Sequence, residues 1–576
     1  MFTGRIDNRD DLLRSSLSGK VNPACDDATL YAWCHAEFGD LCDLRLIGQY
    51  AAILWTQERN QIRLARSPIS GPPLHIWQGE DTAIIASTPR AIFATGEVRQ
   101  EVDDLKIADS LYLNYAEAER GWFKGISRLP VNTRATVTAT GMQSTLYYDP
   151  FAKGPVRFPK DDDYVDAANA LFDDATRAAL RGASKPAIAL SGGLDSQAVA
   201  ASVLSQIPSD ASLFSFTSVP CEAWDGRAKP NKFGDERTHV EAFAAMQPRL
   251  TTNFVDAEGL SFDHKLDAMF LMVGAPPRNA MNLHWMHEGM SLAKSSGCDV
   301  VLHGSSGNAT FSFNGNGAFP GWALGGNWMT LLREVWAGRR RHKSLAHAFA
   351  GNVIRPLLPH KMATQLRRLR FGAHANPFDT WCPLNAEWAD AMELDARAAQ
   401  LGFDAHFLQP RSTQSLRRAL FNNASNEAGD LVQALEALHG IPMRDPSSYR
   451  PLVEFCFNIP DDQYIRGGQS RWLAQRMLKG KLPDKVLSET RRGQQTADWH
   501  ARLSLQLPAL RDEVDALSRD DVMAEMLNLP RLRRMLENWP DETPTSPSDP
   551  NASLHLALTR ALTTARFIKY VKGGNS

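Results

Sequence analysis

A short apolar strand, Pro186 to Leu190, runs directly into Ser191-Gly192-Gly193-Leu194-Asp195-Ser196, and a helical pattern begins at Asp195. Few architectures accept that order. Two glycines between a strand and a helix let backbone N–H groups approach a ligand closely, and the helix N-terminus adds partial positive charge. Such a turn suits phosphate. It lacks the Gly-Lys-Ser/Thr ending that presents a lysine to a γ-phosphate. The expected chemistry is therefore pyrophosphate release, with Asp195 available to hold Mg2+. The plainer alternative is a glycine turn in which Asp195 only caps the helix.

The flanking pattern extends this unit. Tyr164, Ala168, Leu171, Phe172, Ala175 and Ala179 form one helical stripe. Leu213 to Ser218 reads as a strand, Glu236 to Met246 as a helix, and Cys298 to His303 as a strand ending at Gly304. Strand–helix alternation predicts a doubly wound parallel α/β sheet. Residues 320–430 read as a helical insert with basic clusters at Arg339 to Lys343 and at Arg367, Arg368 and Arg370. Pro540, Pro544, Pro547 and Pro550 mark a loop before an amphipathic helix carrying Leu554, Leu558, Ala561, Leu562, Ala565 and Ile568.

Upstream the period changes. Gln49 to Thr56, Gln61 to Arg66, Asp81 to Ser87 and Arg134 to Ala139 read as strands, with a turn at Glu58-Arg59-Asn60. Pro150, Pro155 and Pro159, followed by Asp161 to Asp163, mark a linker and a helix start. Two domains are expected, 1–152 and 160–576. Composition then excludes several tasks. A net charge of −2 in 576 residues argues against nonspecific nucleic-acid binding. Seven cysteines without a C-x-x-C pair predict no zinc site and reduced thiols in a cytoplasmic protein. The N-terminus has no signal-peptide pattern, and no apolar run is long enough to span a membrane.

Ser191 to Ser196 after an apolar strand resembles the ATP-pyrophosphatase loop of the asparagine synthetase family. Asn8-Arg9-Asp10-Asp11-Leu12, Ala65-Arg66-Ser67-Pro68 and Gly125-Ile126-Ser127-Arg128-Leu129-Pro130 resemble strings of that family's N-terminal glutaminase domain. The resemblance implies an Ntn-type α+β glutaminase-like domain, then a synthetase domain that adenylates a carboxylate and lets an amine attack it. It implies ATP at Leu190, Ser191, Gly192, Gly193, Leu194, Asp195, Ser196, Ser218 and Gly304. The second loop, Gly304-Ser305-Ser306-Gly307-Asn308, carries Asn308 where the family has a metal-binding Asp. Asn308 is either a weaker Mg2+ ligand or a left-handed turn residue. In Gly440-Ile441-Pro442-Met443-Arg444-Asp445, proline stands where asparagine synthetases place a catalytic Glu. Asp445 either assumes part of that role or forms a structural pair with Arg444. Arg491 and Arg492 lie near the family's catalytic Lys. They either steady the departing pyrophosphate or belong to a solvated face.

Two departures concern ammonia. The family's glutaminase needs an N-terminal Cys, but residue 2 is Phe2, and Cys25 lies too far in. The glutamine-holding Asn-Gly-Glu string aligns with Thr3-Gly4-Arg5, which reverses the charge. The resemblance places the chain's first residues partway into that domain, so a truncated, degenerate unit without glutaminase activity is expected. A synthetase without its own ammonia needs an amine from the substrate. Pro277 to Asn282 with Trp285, Gly304 to Asn308 with Phe311 to Gly315, Arg491 to Gly493 through Ala497 to Trp499, and Ala565 to Asn575 resemble the lasso-peptide macrolactam synthetases. That branch implies a precursor-peptide substrate, a peptidase and a leader-binding protein as pathway partners, and neither nucleic acid nor membrane. The alternatives are an asparagine synthetase and a non-catalytic nucleotide-binding homologue.

Overall fold

The computed structural model describes residues 1–576 except 15–16, 342–343, 360–361, 364, 367–368, 370–380, 403–409, 547–548, 550, 552–553 and 574–576. The expectations for Lys343, Arg367, Arg368, Arg370, Pro547, Pro550, Gly574 and Asn575 lie outside the described residues.

The N-terminal unit stacks two antiparallel sheets. One has five strands in the order Phe2–Ile6, Gly48–Thr56, Gln61–Arg66, Thr133–Thr138, Gly141–Leu146. The other has three, Ala83–Ala86, His75–Gln78 and Ile126–Arg128. Side chains alternate across Gly48–Thr56. Tyr50 and Ala52 pack under helix Asp27–Phe38 with Leu30 and Tyr31, while Ala51 faces Leu64, Ile76 and Val137 between the sheets.

After the proline-rich linker, helix Asp161–Leu180 opens the second unit. Its Tyr164, Ala168, Phe172, Ala175 and Ala179 are buried, and Leu171 is partly so. Five parallel strands follow in the spatial order Leu250–Val255, Leu213–Ser218, Pro186–Ala189, Val300–Leu302, Met443–Arg444. Ala187 and Val301 face one core; Ile188, Val300 and Leu302 face the other. Covering both faces with helices is what makes these short runs almost wholly apolar. Strand order reverses between Pro186–Ala189 and Val300–Leu302, so the loops leaving those two strands flank the switch point where open α/β sheets bind ligands.

Described residues between 318 and 439 are mainly helical, ending in the 27-residue helix Thr413–His439. The closing helix Leu554–Lys572 corrects one expectation. Leu554, Leu558, Ala561, Leu562, Ala565 and Ile568 are buried, but so are His555, Thr559, Thr563 and Phe567 on its other sides. It is a central helix surrounded by protein, not an amphipathic one on the surface.

A buried ion pair fastens the two units: Arg128 of the N-terminal domain reaches Asp430 on helix Thr413–His439 at 2.5 Å. Arg66 is buried nearby, and burial beside Arg128 pushes its pKa down to about 9. Breaking a buried pair strands a charge in a low-dielectric interior. Asp430→Ala is therefore expected to lower the unfolding free energy by about 3 kcal/mol, read from denaturant midpoints.

Candidate active site at the sheet switch point

The two switch-point loops lie against each other because glycine leaves room. A Cβ on Gly304 would stand 2.8 Å from the Asp195 carbonyl oxygen, and one on Gly307 would stand 2.4 Å from Asp195 Oδ1. The first loop is tied down from within. Ser196 Oγ accepts the Ser191 N–H at 2.9 Å and meets Ser191 Oγ at 2.8 Å. Gly192 N–H donates to Glu236 Oε2 at 3.0 Å, so a carboxylate occupies one cradle donor. Burial raises the pKa of Glu236, which eases proton uptake when an anion competes for that donor.

Above the loops is a cleft of about 800 Å3. Ser191, Gly192, Gly193, Leu194 and Asp195 line it, with Asn308, Arg491 and Arg492. The other expected ATP residues lie outside the lining. Leu190 is in the core beneath the loop, Ser196 holds the turn, Gly304 backs Asp195, and Ser218 ends the adjacent strand. Lys229, Lys232, Arg471, Arg491 and Arg492 line the cleft against three carboxylates, Asp195, Glu236 and Glu489. In a chain whose net charge is −2, that local excess of cations favours a polyanion.

Asp195 accepts a hydrogen bond from the buried Ser312 hydroxyl. Burial pushes its pKa up to about 6, against the hydroxyl and the Arg471 charge, which favour the ionised form. The folded state thus holds the proton more tightly than the unfolded chain. The resulting stability is full below the ordinary value of 3.8 and lost as pH rises through about 6. Asp195→Asn should therefore raise the denaturant midpoint at pH 7.5 in metal-free buffer, and the gap should close towards pH 4.

Asn308 does not present an open ligand oxygen, because Arg471 Nη2 donates to its Oδ1 at 2.9 Å. Among the described residues, no cluster of three His, Cys, Asp or Glu side chains is arranged to hold a metal. Mg2+ commonly binds through one or two carboxylates plus substrate phosphates. Asp195 alone fits that pattern, since it is a cleft-lining carboxylate beside a phosphate cradle. Asp445 lies away from the cleft lining: Oδ2 accepts the Ser306 N–H at 2.9 Å and Oδ1 the Ser447 N–H at 2.9 Å. It positions the second loop. Arg444 donates to the carbonyls of Ala179 and Arg181, at 2.6 and 2.8 Å, rather than to Asp445.

Arg491 is half exposed, forks onto Glu489 at 2.7 and 3.0 Å, and lies over Phe233. Arginine and the His239 contact draw the Glu489 pKa down to about 2. Arg492 makes no ion pair among the described residues, and its strand pairs in parallel with Lys232–Phe233. Sequence reasoning missed Arg471, which the hairpin Ile465–Arg466 with Gln469–Ser470 delivers into the cleft. The only local signal was Gly467-Gly468, both at positive φ, ahead of it. Further along the cleft stand Asn279, Asn282, Gln494, Gln495, Trp499 and His555.

Fold and site together define a two-domain protein whose α/β unit carries a lysine-free glycine loop and a buried carboxylate at its switch point. The chain belongs to the asparagine synthase family, whose model matches residues 167–562. A glutamine amidotransferase domain model matches residues 1–148. The chain is 26% identical over 218 residues to a "Putative asparagine synthetase", glutamine-hydrolyzing, of Mycobacterium tuberculosis, an alignment covering 36% of this chain and 33% of that protein. It is 24% identical over 203 residues to glutamine-hydrolyzing "Asparagine synthetase" 3 of Bacillus subtilis, covering 35% of this chain and 33% of that one. The chain thus spans a third of the length of these curated relatives. Among the described residues no helix is long and apolar enough to cross a membrane.

Proposed function

We propose that this protein is an ATP-dependent carbon–nitrogen ligase that forms an amide through an acyl-adenylate. The observation that carries the reading is the meeting, in one switch-point cleft, of the glycine loop, Asp195 and five cationic side chains. A substrate carboxylate oxygen attacks the α-phosphorus of ATP, the bond to the β-phosphate breaks, and pyrophosphate leaves. The amine nitrogen then attacks the acyl carbon, AMP departs, and the ammonium proton is lost. Arg471 and Arg492 offset charge on the leaving pyrophosphate. Asp195 would hold Mg2+, which neutralises phosphate charge when bound.

The narrower proposal is macrolactam closure of a lasso precursor peptide without glutaminase activity, with a peptidase and a leader-binding protein as pathway partners. It is supported by the N-terminal domain. Phe2 packs between Tyr31 and Tyr50, with ring centroids 5.7 Å from each. Arg5 pairs with Asp7 at 2.7 Å, and Asp27 is taken by Arg9 and Arg181 at 2.9 and 3.0 Å. A glutamine α-ammonium finds no free acidic partner in that set. The second reading, aspartate to asparagine, is favoured by the names of the relatives.

ATP–pyrophosphate exchange separates the two. Exchange with a precursor peptide encoded nearby, and not with aspartate, supports the narrower proposal; exchange with aspartate alone supports the second. With glutamine as the only nitrogen source, no glutamate release is expected. Release at the rate of ATP consumption would refute the loss of glutaminase activity.

A further inference from the structure

Helix Trp328–Ala337 is apolar on two sides. Leu331 and Val335 are buried against Ala318, Trp322 and Val353 in a small core of their own. Trp328, Leu332 and Trp336, spaced at i, i+4 and i+8, stand on the outer face, each more than half exposed. Met329 beside them is 89% exposed, and Leu324, at the end of the preceding helix, 65%. Single exposed apolar residues are ordinary, but a continuous stripe of them marks an interaction surface. Charge sets this surface apart further. Residues 300–378 contain ten Lys or Arg and one acid, Glu334. Glu334 is 1% exposed, accepts the Gly468 N–H at 3.1 Å and faces Arg333 Nε at 3.2 Å, so it presents no charge outward. Arg333 and Arg355 are exposed, and Arg339 lies over the Trp336 ring, 4.4 Å from its centroid.

We propose that this face seats the protein on an anionic lipid bilayer, with Trp328, Met329, Leu332 and Trp336 in the interfacial layer and the arginines against the headgroups. Tryptophan rings settle at headgroup depth, and arginine is drawn to an anionic leaflet. The helix lies on the membrane and does not cross it. A bilayer supplies both halves of the match at once, phosphate oxygens for the cations and an apolar boundary for the stripe. Other occupants match only one half. A second copy pairing through this face would set cations against cations, with no exposed carboxylate on either side to offset them. Nucleic acid answers the arginines, but its phosphate backbone gains nothing from exposed Met and Leu. The resemblance to the macrolactam synthetases implies no membrane. This proposal departs from it, and it stands apart from the ligase reading because no residue of the cleft enters it.

The test is flotation of the full chain with vesicles of phosphatidylcholine alone and with vesicles in which about a quarter of the lipid is phosphatidylglycerol. Partitioning is expected to be at least about tenfold stronger onto the anionic vesicles, and to fall towards the neutral value near about 1 M salt, where screening is nearly complete. Met329→Gln with Leu332→Gln removes apolar contact and leaves charge alone. Arg339→Gln with Arg355→Gln removes charge and leaves the stripe alone. Each pair should weaken anionic binding by about three- to tenfold. Met329 and Leu332 face solvent, so the first pair should keep the circular dichroism of the wild type, and the second pair gives the same readout if it does not. Equal partitioning onto both vesicle types, or none, overturns the proposal. So does anionic binding that survives both pairs, which belongs to another surface. A dimer that the Met329 and Leu332 pair dissolves, or duplex DNA held more tightly than the anionic vesicles, also overturns it and gives the face to a second copy or to nucleic acid.

Discussion

Asp195→Ala is expected to lower ATP–pyrophosphate exchange by at least about a thousandfold, with the far-ultraviolet circular dichroism of the wild type retained. Asp195 is the one carboxylate inside the glycine loop, and both switch-point loops are shaped around it. Alanine is a good helix former at the start of helix Leu194–Gln206, so the backbone has no reason to move. Removing a charge that burial already disfavours costs the apoprotein little. The loss should therefore fall on chemistry and on Mg2+ dependence. An Asp195→Ala variant that keeps exchange within tenfold of wild type would sink the site assignment.

Arg471→Ala is expected to reduce kcat by about 100- to 1000-fold with a smaller change in the KM for ATP, the range seen when one preorganised charge-stabilising donor is deleted. Its guanidinium holds Asn308 at 2.9 Å and acts electrostatically on Asp195 and Arg492. The backbone at Arg471 is left-handed, φ +58, which is unfavourable for a residue with a side chain. That permits a clean separation of effects. Arg471→Gly relieves the backbone yet deletes the cation, so it should be as inactive as alanine while at least as stable. Arg471→Lys keeps charge without the fork and should recover only part of the rate. Full activity in the glycine variant would move the charge-stabilising role to Arg492.

Legibility followed local periodicity. Gln61–Arg66 and Leu213–Ser218 carry their apolar pattern within the strand, and three acidic residues announce helix Asp161–Leu180. Three edge strands were harder to see, whereas the edge strand Ala83–Ala86 was legible from its unbroken apolar run. Phe2–Ile6, Gly141–Leu146 and Leu250–Val255 each pair on one side only, so polar residues interrupt their runs. Met443–Arg444 is too short to show any period. The glycine loop was readable because its chemistry is contiguous. Asn308 and Asp445 were readable as positions but not as contacts, since each is engaged by a group distant in sequence: Arg471 for the first, the Ser306 N–H for the second. The strings around residues 280 and 495 were legible by resemblance, but that they line one cleft with His555 shows only in three dimensions.

The central helix Leu554–Lys572 has a consequence for how the molecule is made. Phe567 contacts Trp122 and Phe123 of the first unit, and the same core contains Ala187, Phe216 and Val301 of the parallel sheet. Until the ribosome has released that helix, this core lacks its last wall, although helix Leu283–Ser295 already covers Phe216. The nascent polypeptide therefore carries an unfinished, sticky interior through most of its synthesis, the circumstance in which chaperones engage long chains. Closing contacts so distant along the chain also makes for slow late folding. Expression yield should depend on temperature and chaperone supply more than on codon choice near the start.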